Sequence, residues 1–236
     1  MFTDHRHHAG LTQEAHRALP FVSNTDLTET KNRVLGITRL PNPQALLFGG
    51  HFHTAVLEPA QYQRTAQRVP WQQLEDLAAA VRRQRFCRDL LYRGQAEQTH
   101  TATHAATGVH VKIRPDLLHV SPRIGKVGLV DFKTTSARDY AGFCATIEQY
   151  DYDRQAAFYA DVLGATRFTI IGVQKKAPFA VWQVDLFDIP GLFEQGRKKY
   201  TRLLRAAPPP PDGFARHLPT RAQQAPRVVV SPLNIF

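Results

Sequence analysis

The sequence predicts an α/β protein with a central mixed sheet flanked by helices, and three observations carry that expectation. Val109, Val111 and Ile113 alternate with His110, Lys112 and Arg114, the two-residue period of a strand with one buried face. A second run, residues 127–133, places Leu129, Asp131 and Lys133 together on one face, because side chains two apart on a strand point the same way. Around these, apolar residues recur at helical spacing over residues 71–91 and 147–163, the pattern of amphipathic helices packed on a core.

The elements follow in order. Residues 1–20 read as a flexible, histidine-rich segment with His5, His7 and His8, a solvated end or a transition-metal site. Ser23 to Asp26 offer oxygen-bearing side chains that cap a short helix. Asn42 as cap and Pro43 at the first helical position start the next helix, and Pro59 ends it near Glu58. Leu46, Gly49, Gly50, His53 and Leu57 share one face of it, which turns His53 inward. Residues 71–91 then read as one long amphipathic helix whose outer face carries Arg82, Arg83, Arg85 and Arg88. That basic face is either a solvated surface or a strip that tracks a phosphate backbone.

A strand is expected to begin at Gly94 to Glu97 and to turn near Ala106 to Gly108. The strands on either side of Ser121 to Gly125 are expected to pair as a hairpin, which brings Asp116 close to Asp131. After a helix over residues 147–163, residues 167–173 and 179–186 read as two further strands, and Pro190-Gly191 introduces a last helix. The domain therefore spans residues 21–206. Residues 207–236 form a proline-rich tail opened by Pro208 to Pro211. The tail's apolar end either docks on its own domain, extends a sheet in a neighbouring subunit, or serves as a partner motif.

Composition narrows the function. Thirty Lys and Arg against twenty Asp and Glu give a formal charge of +10, which favours polyanionic partners, nucleic acid above all. Only Cys87 and Cys144 are present, which argues against a disulfide framework, a structural zinc site or a cysteine-held iron–sulfur cluster. No run of apolar residues approaches a membrane span and the polar start is not a signal peptide. A cytoplasmic protein is the expectation.

Two carboxylates and an amine converge at the centre. Asp131 and Lys133 are same-face neighbours, and Asp116 follows Pro115 at the end of the preceding strand. Two acids that share a divalent cation suit magnesium, which is held by one or two carboxylates and phosphate oxygens. The plain alternative is a cross-strand ion pair worth roughly 0.2–1 kcal/mol. An acid, any residue and lysine is a weak pattern by itself: Glu29-Thr30-Lys31 matches it with no strand around it.

Pro115-Asp116 followed by Asp131-Phe132-Lys133 resembles the PD-(D/E)xK nuclease motif. Gly49-Gly50-His51-Phe52-His53 with Leu57-Glu58-Pro59 resembles the block that precedes that motif in RecE-type (exodeoxyribonuclease VIII) nucleases. Lys112 to Asp116, Asp131 to Thr135 and Gln155 to Tyr159 are similar to that family's later blocks. The resemblance covers residues 21–184 and implies the restriction-endonuclease-like fold. It implies Asp116, Asp131, Lys133, Gln155 and Tyr159 as catalytic residues, and His53, Glu97, Asp116, Asp131 and the Phe132 carbonyl around Mg2+ or Mn2+. The substrate side falls to Thr134, Thr135 and Arg114. A buried, hydrogen-bonded histidine is the ordinary reading of His53, and a solvent-facing acid that of Glu97.

The activity so implied is metal-dependent hydrolysis of DNA, 5′-to-3′ on linear duplex with free ends, leaving a 3′ strand for an annealing protein. A homo-oligomer is the family's habit. The alternatives are a restriction-like or repair endonuclease and a catalytically idle DNA-binding module.

Overall fold

The computed structural model describes residues 1–38, 42–121 and 125–207. The chain runs through β1 (Phe2–His8), α1 (Gln13–Ala18), α2 (Asn24–Val34), α3 (Pro43–Leu57), α4 (Trp71–Arg83) and α5 (Arg85–Arg93). Strands β2 (Gln95–Ala96), β3 (Thr99–His104), β4 (His110–Ile113), β5 (Leu117–Val120) and β6 (Val127–Thr135) follow. Then come α6 (Tyr140–Gln149), α7 (Tyr152–Leu163), β7 (Arg167–Gln174), β8 (Val181–Asp185), a 3-10 turn at Leu186–Asp188, and α8 (Leu192–Ala206).

The main sheet has the order β2-β5-β6-β7-β8. It is mixed: β6 and β7 are parallel, and the other pairs are antiparallel. Parallel neighbours need a crossover, which α6 and α7 supply. Alternation along β6 splits the core between two faces. Leu129 packs with Phe143, Phe158 and Leu204 from the later helices, while Val130 and Phe132 pack with Phe48, Phe52, Leu74 and Val81 of α3 and α4. Each such buried side chain contributes roughly 1.5–3 kcal/mol. On α8, Gly196 lets the helix close onto α7, since a Cβ there would meet the Asp153 carbonyl oxygen at 2.2 Å.

Four expectations are corrected. The strand over 110–113 does not pair with β6; it joins β3 and β1 in a separate three-stranded sheet. Pro115 has no N–H and a fixed φ, and beyond it the four-residue β5, too short to show a period, makes the pairing with β6. Asp116 still arrives next to β6, at the mouth of β5.

The N-terminal segment is not a loose end. β1 pairs antiparallel with β3, and Phe2 lies against His104, Phe158 and Tyr200. His7 stacks on His100 at 4.7 Å. Its partners lie some hundred residues away in sequence, so no local pattern announces them.

The long helix breaks at Gln84 (ψ 123°). Leu74, Leu77, Ala78 and Val81 are buried, and the next buried residue is Cys87. The backbone is extended at Gln84 and re-enters helix at Arg85, and Cys87 of α5 joins the cluster formed by Leu74, Leu77, Ala78 and Val81. Arg88 donates to the Arg82 and Arg83 carbonyls and Arg82 to that of Ala55, so part of the basic strip closes the junction.

On α3 the buried stripe is Phe48, Phe52, Ala55, Val56 and Leu57, so Leu57 is inward as expected while Leu46 is exposed. His53 stands at the margin of that stripe, its side chain 28% accessible. The start of α3 is as expected, with Asn42 Oδ1 accepting from Gln44 and Ala45. The tail from Pro208 onward lies outside the described residues.

Candidate active site

The site forms where one strand outruns its neighbour. β5 pairs with β6 only from Val127 to Val130, so the next amide of β6 on that side, Phe132 N–H, has no ladder partner. A buried, unpaired backbone group is costly. Asp116 Oδ2 accepts this N–H at 2.6 Å, and the Phe132 carbonyl is met by His53 Nε2 at 2.9 Å. His53 Nδ1 lies 3.4 Å from Asp116 Oδ1. Imidazole, carboxylate and peptide thus close a ring across the gap in the ladder.

Glu97 enters from the end of β2. Its φ of 53° is a left-handed conformation that costs an L-residue roughly 1–2 kcal/mol, and its N–H donates to the Asp116 carbonyl at 3.1 Å. Donor atoms of His53, Glu97 and Asp116 lie within 4.8 Å of one another, the set among the described residues that could hold a metal ion. Two carboxylates and one imidazole are a donor set for a divalent cation.

The charges of the set are coupled. Burial opposes ionisation of Asp116, but His53, Lys133 and the Phe132 N–H outweigh it and hold its pKa below the usual carboxylate value. For His53, burial favours the neutral ring, and Asp116 overrides it to raise the pKa to about 9. Burial, then Asp116, lifts Glu97 to about 7 against the pull of Arg114.

Asp131 stands outside the three-residue set. Its Oδ1 accepts from Gln155 Nε2 at 2.7 Å and its Oδ2 pairs with Lys133 Nζ at 2.7 Å. Burial, assisted by Asp116, raises the Asp131 pKa against the opposing effect of Lys133. Burial works against the Lys133 cation, yet Asp131 and Asp116 prevail and raise its pKa. So held, the Lys133 ammonium is tied to the Asp131 carboxylate. The Tyr152 ring lies 5.0 Å from its ammonium, a cation–π contact.

Helix α7, which carries Tyr152 and Gln155, is pinned at its start. Asp151 has left-handed φ and ψ of 55° and 34°, and its carboxylate pairs with Lys31, Arg154 and Lys199. Lys31 of the decoy Glu29-Thr30-Lys31 is therefore structural. The Asp151 anchor was missed in the sequence; an acid directly before a helical run was the available signal.

Several placements, those of Thr134 and Thr135 on the expected substrate side included, differ from expectation. The Arg114 side chain is only 9% accessible and is spent on Glu97 Oε2 (2.7 Å), the Leu11 carbonyl (2.8 Å) and Thr99 Oγ1 (2.8 Å). Its expected place at the substrate gives way to a buried partner for Glu97. Tyr159 is 9% exposed; burial raises its phenol pKa, with Asp131, Lys133 and Asp116 close enough to act on it, so it stands beside the site with little surface to offer a substrate. Thr135 is buried too, and its hydroxyl accepts the Ala137 N–H at 3.1 Å. Thr134 is partly exposed on the opposite face of β6.

A mixed sheet flanked by helices, with Pro-Asp and Asp-x-Lys brought together at a strand end, defines the restriction-endonuclease-like class. The profile of the family described as PDDEXK-like domain of unknown function (DUF3799) matches residues 27–206, and the chain belongs to that family. A solved Eubacterium rectale protein described as a candidate exonuclease shares the fold, with a TM-score of 0.60 at 17% identity over 84% of this chain and 86% of that one. A phage-related exonuclease from Haemophilus somnus aligns over 84% and 82% of the two chains at 8% identity, with a TM-score of 0.43. An alkaline exonuclease from Laribacter hongkongensis aligns over 82% and 91% at 12% identity, with a TM-score of 0.39. No curated protein matches the chain in sequence. No helix among the described residues is long and apolar enough to cross a membrane.

Proposed function

We propose that this protein is a divalent-metal-dependent deoxyribonuclease, acting as an exonuclease on linear duplex DNA in the 5′-to-3′ sense of the RecE-type enzymes. The observation that carries the reading is the meeting of His53, Glu97 and Asp116 beside the Asp131–Lys133 pair. A bound Mg2+ or Mn2+ supplies Lewis acidity toward the scissile phosphate and a more acidic water.

The chain's own residues do the rest. His53, Glu97 and Asp116 would hold the ion, with Asp131 and the Phe132 carbonyl as the neighbouring oxygen donors. Lys133, cationic and 20% accessible, presents fixed positive charge to the phosphate where negative charge develops. Gln155 orients Asp131, and Tyr159, one turn further along α7, packs beside them. The net charge of +10 suits a nucleic-acid polyanion. A 3′ single strand passed to an annealing protein, a homo-oligomeric assembly and a cytoplasmic setting complete the proposal.

The test is parallel incubation of end-labelled linear duplex, covalently closed circular and single-stranded DNA with Mg2+ or Mn2+. Release of nucleotides from 5′ ends of linear duplex, with circles intact, is the expected result. Cutting of circles would make the enzyme an endonuclease. Asp131→Ala and Lys133→Ala should abolish digestion and leave DNA binding measurable; undiminished digestion removes the site.

A further inference from the structure

We infer that Tyr150 is a stacking platform for an unpaired base of the strand held in the active site, an inference that rests on the nuclease reading and adds to it how the substrate end is gripped. The geometry is a short aromatic wall. Tyr152 lies against the Lys133 ammonium at 5.0 Å, and Tyr150 lies on Tyr152 with centroids 5.8 Å apart at 43°. Tyr150 is 55% exposed, so the wall runs from the half-buried lysine out to solvent.

Single exposed aromatics are common and need no explanation. Tyr150 differs because its position is over-determined. It ends α6, where its N–H bonds the Thr146 carbonyl, and it precedes Asp151, whose left-handed backbone is fixed by three cations. Gln155, one turn further on α7, holds Asp131. The backbone that carries Tyr150 and the site are thus parts of one braced turn, which fixes where the ring is presented relative to Lys133.

A phosphate beside Lys133 places the next bases of the strand within reach of Tyr150, two to three rises of about 3.4 Å each. Stacking on a tyrosine needs a base freed from its duplex neighbours. The enzyme therefore takes the end of the cleaved strand out of the helix before it cuts, and frayed ends are better substrates than fully paired ones.

The test uses the full chain and linear duplexes that carry an abasic nucleotide at each of the first four positions in turn. Tyr150→Ala is expected to raise KM about tenfold with kcat within about twofold, the size of a lost base–aromatic stack. Tyr150→Phe restores the wild-type KM and Tyr150→Leu does not. One abasic position raises the wild-type KM to that of Tyr150→Ala and leaves the variant unaffected. Equal rescue by Leu and Phe, or abasic sensitivity that survives in Tyr150→Ala, overturns the inference.

A second readout separates this from the nuclease reading. If the wild type binds DNA without hydrolysing it, a strand with 2-aminopurine at each position is bound in Ca2+. Quenching in the wild type and not in Tyr150→Ala keeps the platform while the nuclease reading fails; equal quenching in both removes the platform.

Discussion

Asp116 takes the place of a missing strand residue: its Oδ2 accepts the Phe132 N–H at 2.6 Å, where β5 no longer reaches. The carboxylate thus repairs the ladder and, through Oδ1, faces His53 at 3.4 Å. These two duties can be separated.

Asp116→Asn keeps an acceptor for the Phe132 N–H and loses the charge, whereas Asp116→Ala loses both. Ala should destabilise by about 1–3 kcal/mol more than Asn, the cost of an orphaned buried donor. Both should lose hydrolysis. Urea unfolding of the two variants beside the metal-dependent digestion assay checks this.

The pH dependence of metal binding follows from His53. Both ring nitrogens face acceptors and the pKa is raised to about 9, so ion binding through the imidazole expels a proton at neutral pH. Between pH 7 and 9 the Mn2+ affinity should rise about tenfold per pH unit. Calorimetry in buffers of different ionisation enthalpy reads the released proton directly. A flat profile would remove His53 from the ligand set.

The same group sets the stability of the metal-free protein. Its folded pKa lies above the unfolded value of 6.5, so its contribution is fully present below pH 6.5 and is lost as pH rises through about 9. The loss is at most about 3 kcal/mol for a shift of this size. Thermal unfolding without metal should show Tm falling across that window, and His53→Gln should flatten the fall.

Arg114 separates the expected role from the observed one. As a substrate contact its loss would raise KM alone. As the buried partner of Glu97, Arg114→Met should cost about 3 kcal/mol of stability, the penalty for stranding a buried charge, and should weaken metal binding by raising the Glu97 pKa above about 7. Denaturant titration and Mn2+ binding distinguish the two.

Asp151→Asn tests the anchor of α7. Asparagine tolerates the left-handed backbone but leaves Lys31, Arg154 and Lys199 without their shared carboxylate. A loss of about 3 kcal/mol is expected, with a lower kcat because Gln155 and Tyr152 move. An unchanged kcat would show that the anchor serves stability alone.

Much of the architecture could be read from the residues. Period-two runs at 109–114 and 127–133 gave strands, and the Asn42-Pro43 start gave α3. Asp116, Asp131 and Lys133 were legible as a group because the spacing along one strand and the Pro-Asp before it are local features. The errors have one origin. No slip of period marks the break at Gln84, since buried Ala80 and Cys87 stand seven residues apart on one helical face, and the β1 pairing, the separate sheet of β4 and the buried role of Arg114 depend on partners far along the chain.

By itself the sequence determined the strands β4 and β6, the start of α3 and the shared face of Asp131 and Lys133, because backbone geometry converts spacing into direction. Only the tertiary structure decided what each charge meets. It set Glu97 against Arg114 and Asp116, gave His53 to the Phe132 carbonyl, and bound Asp151 to three cations. The physical reason is that a buried charge must find its counter-charge in space, and neighbours in space are not neighbours in sequence.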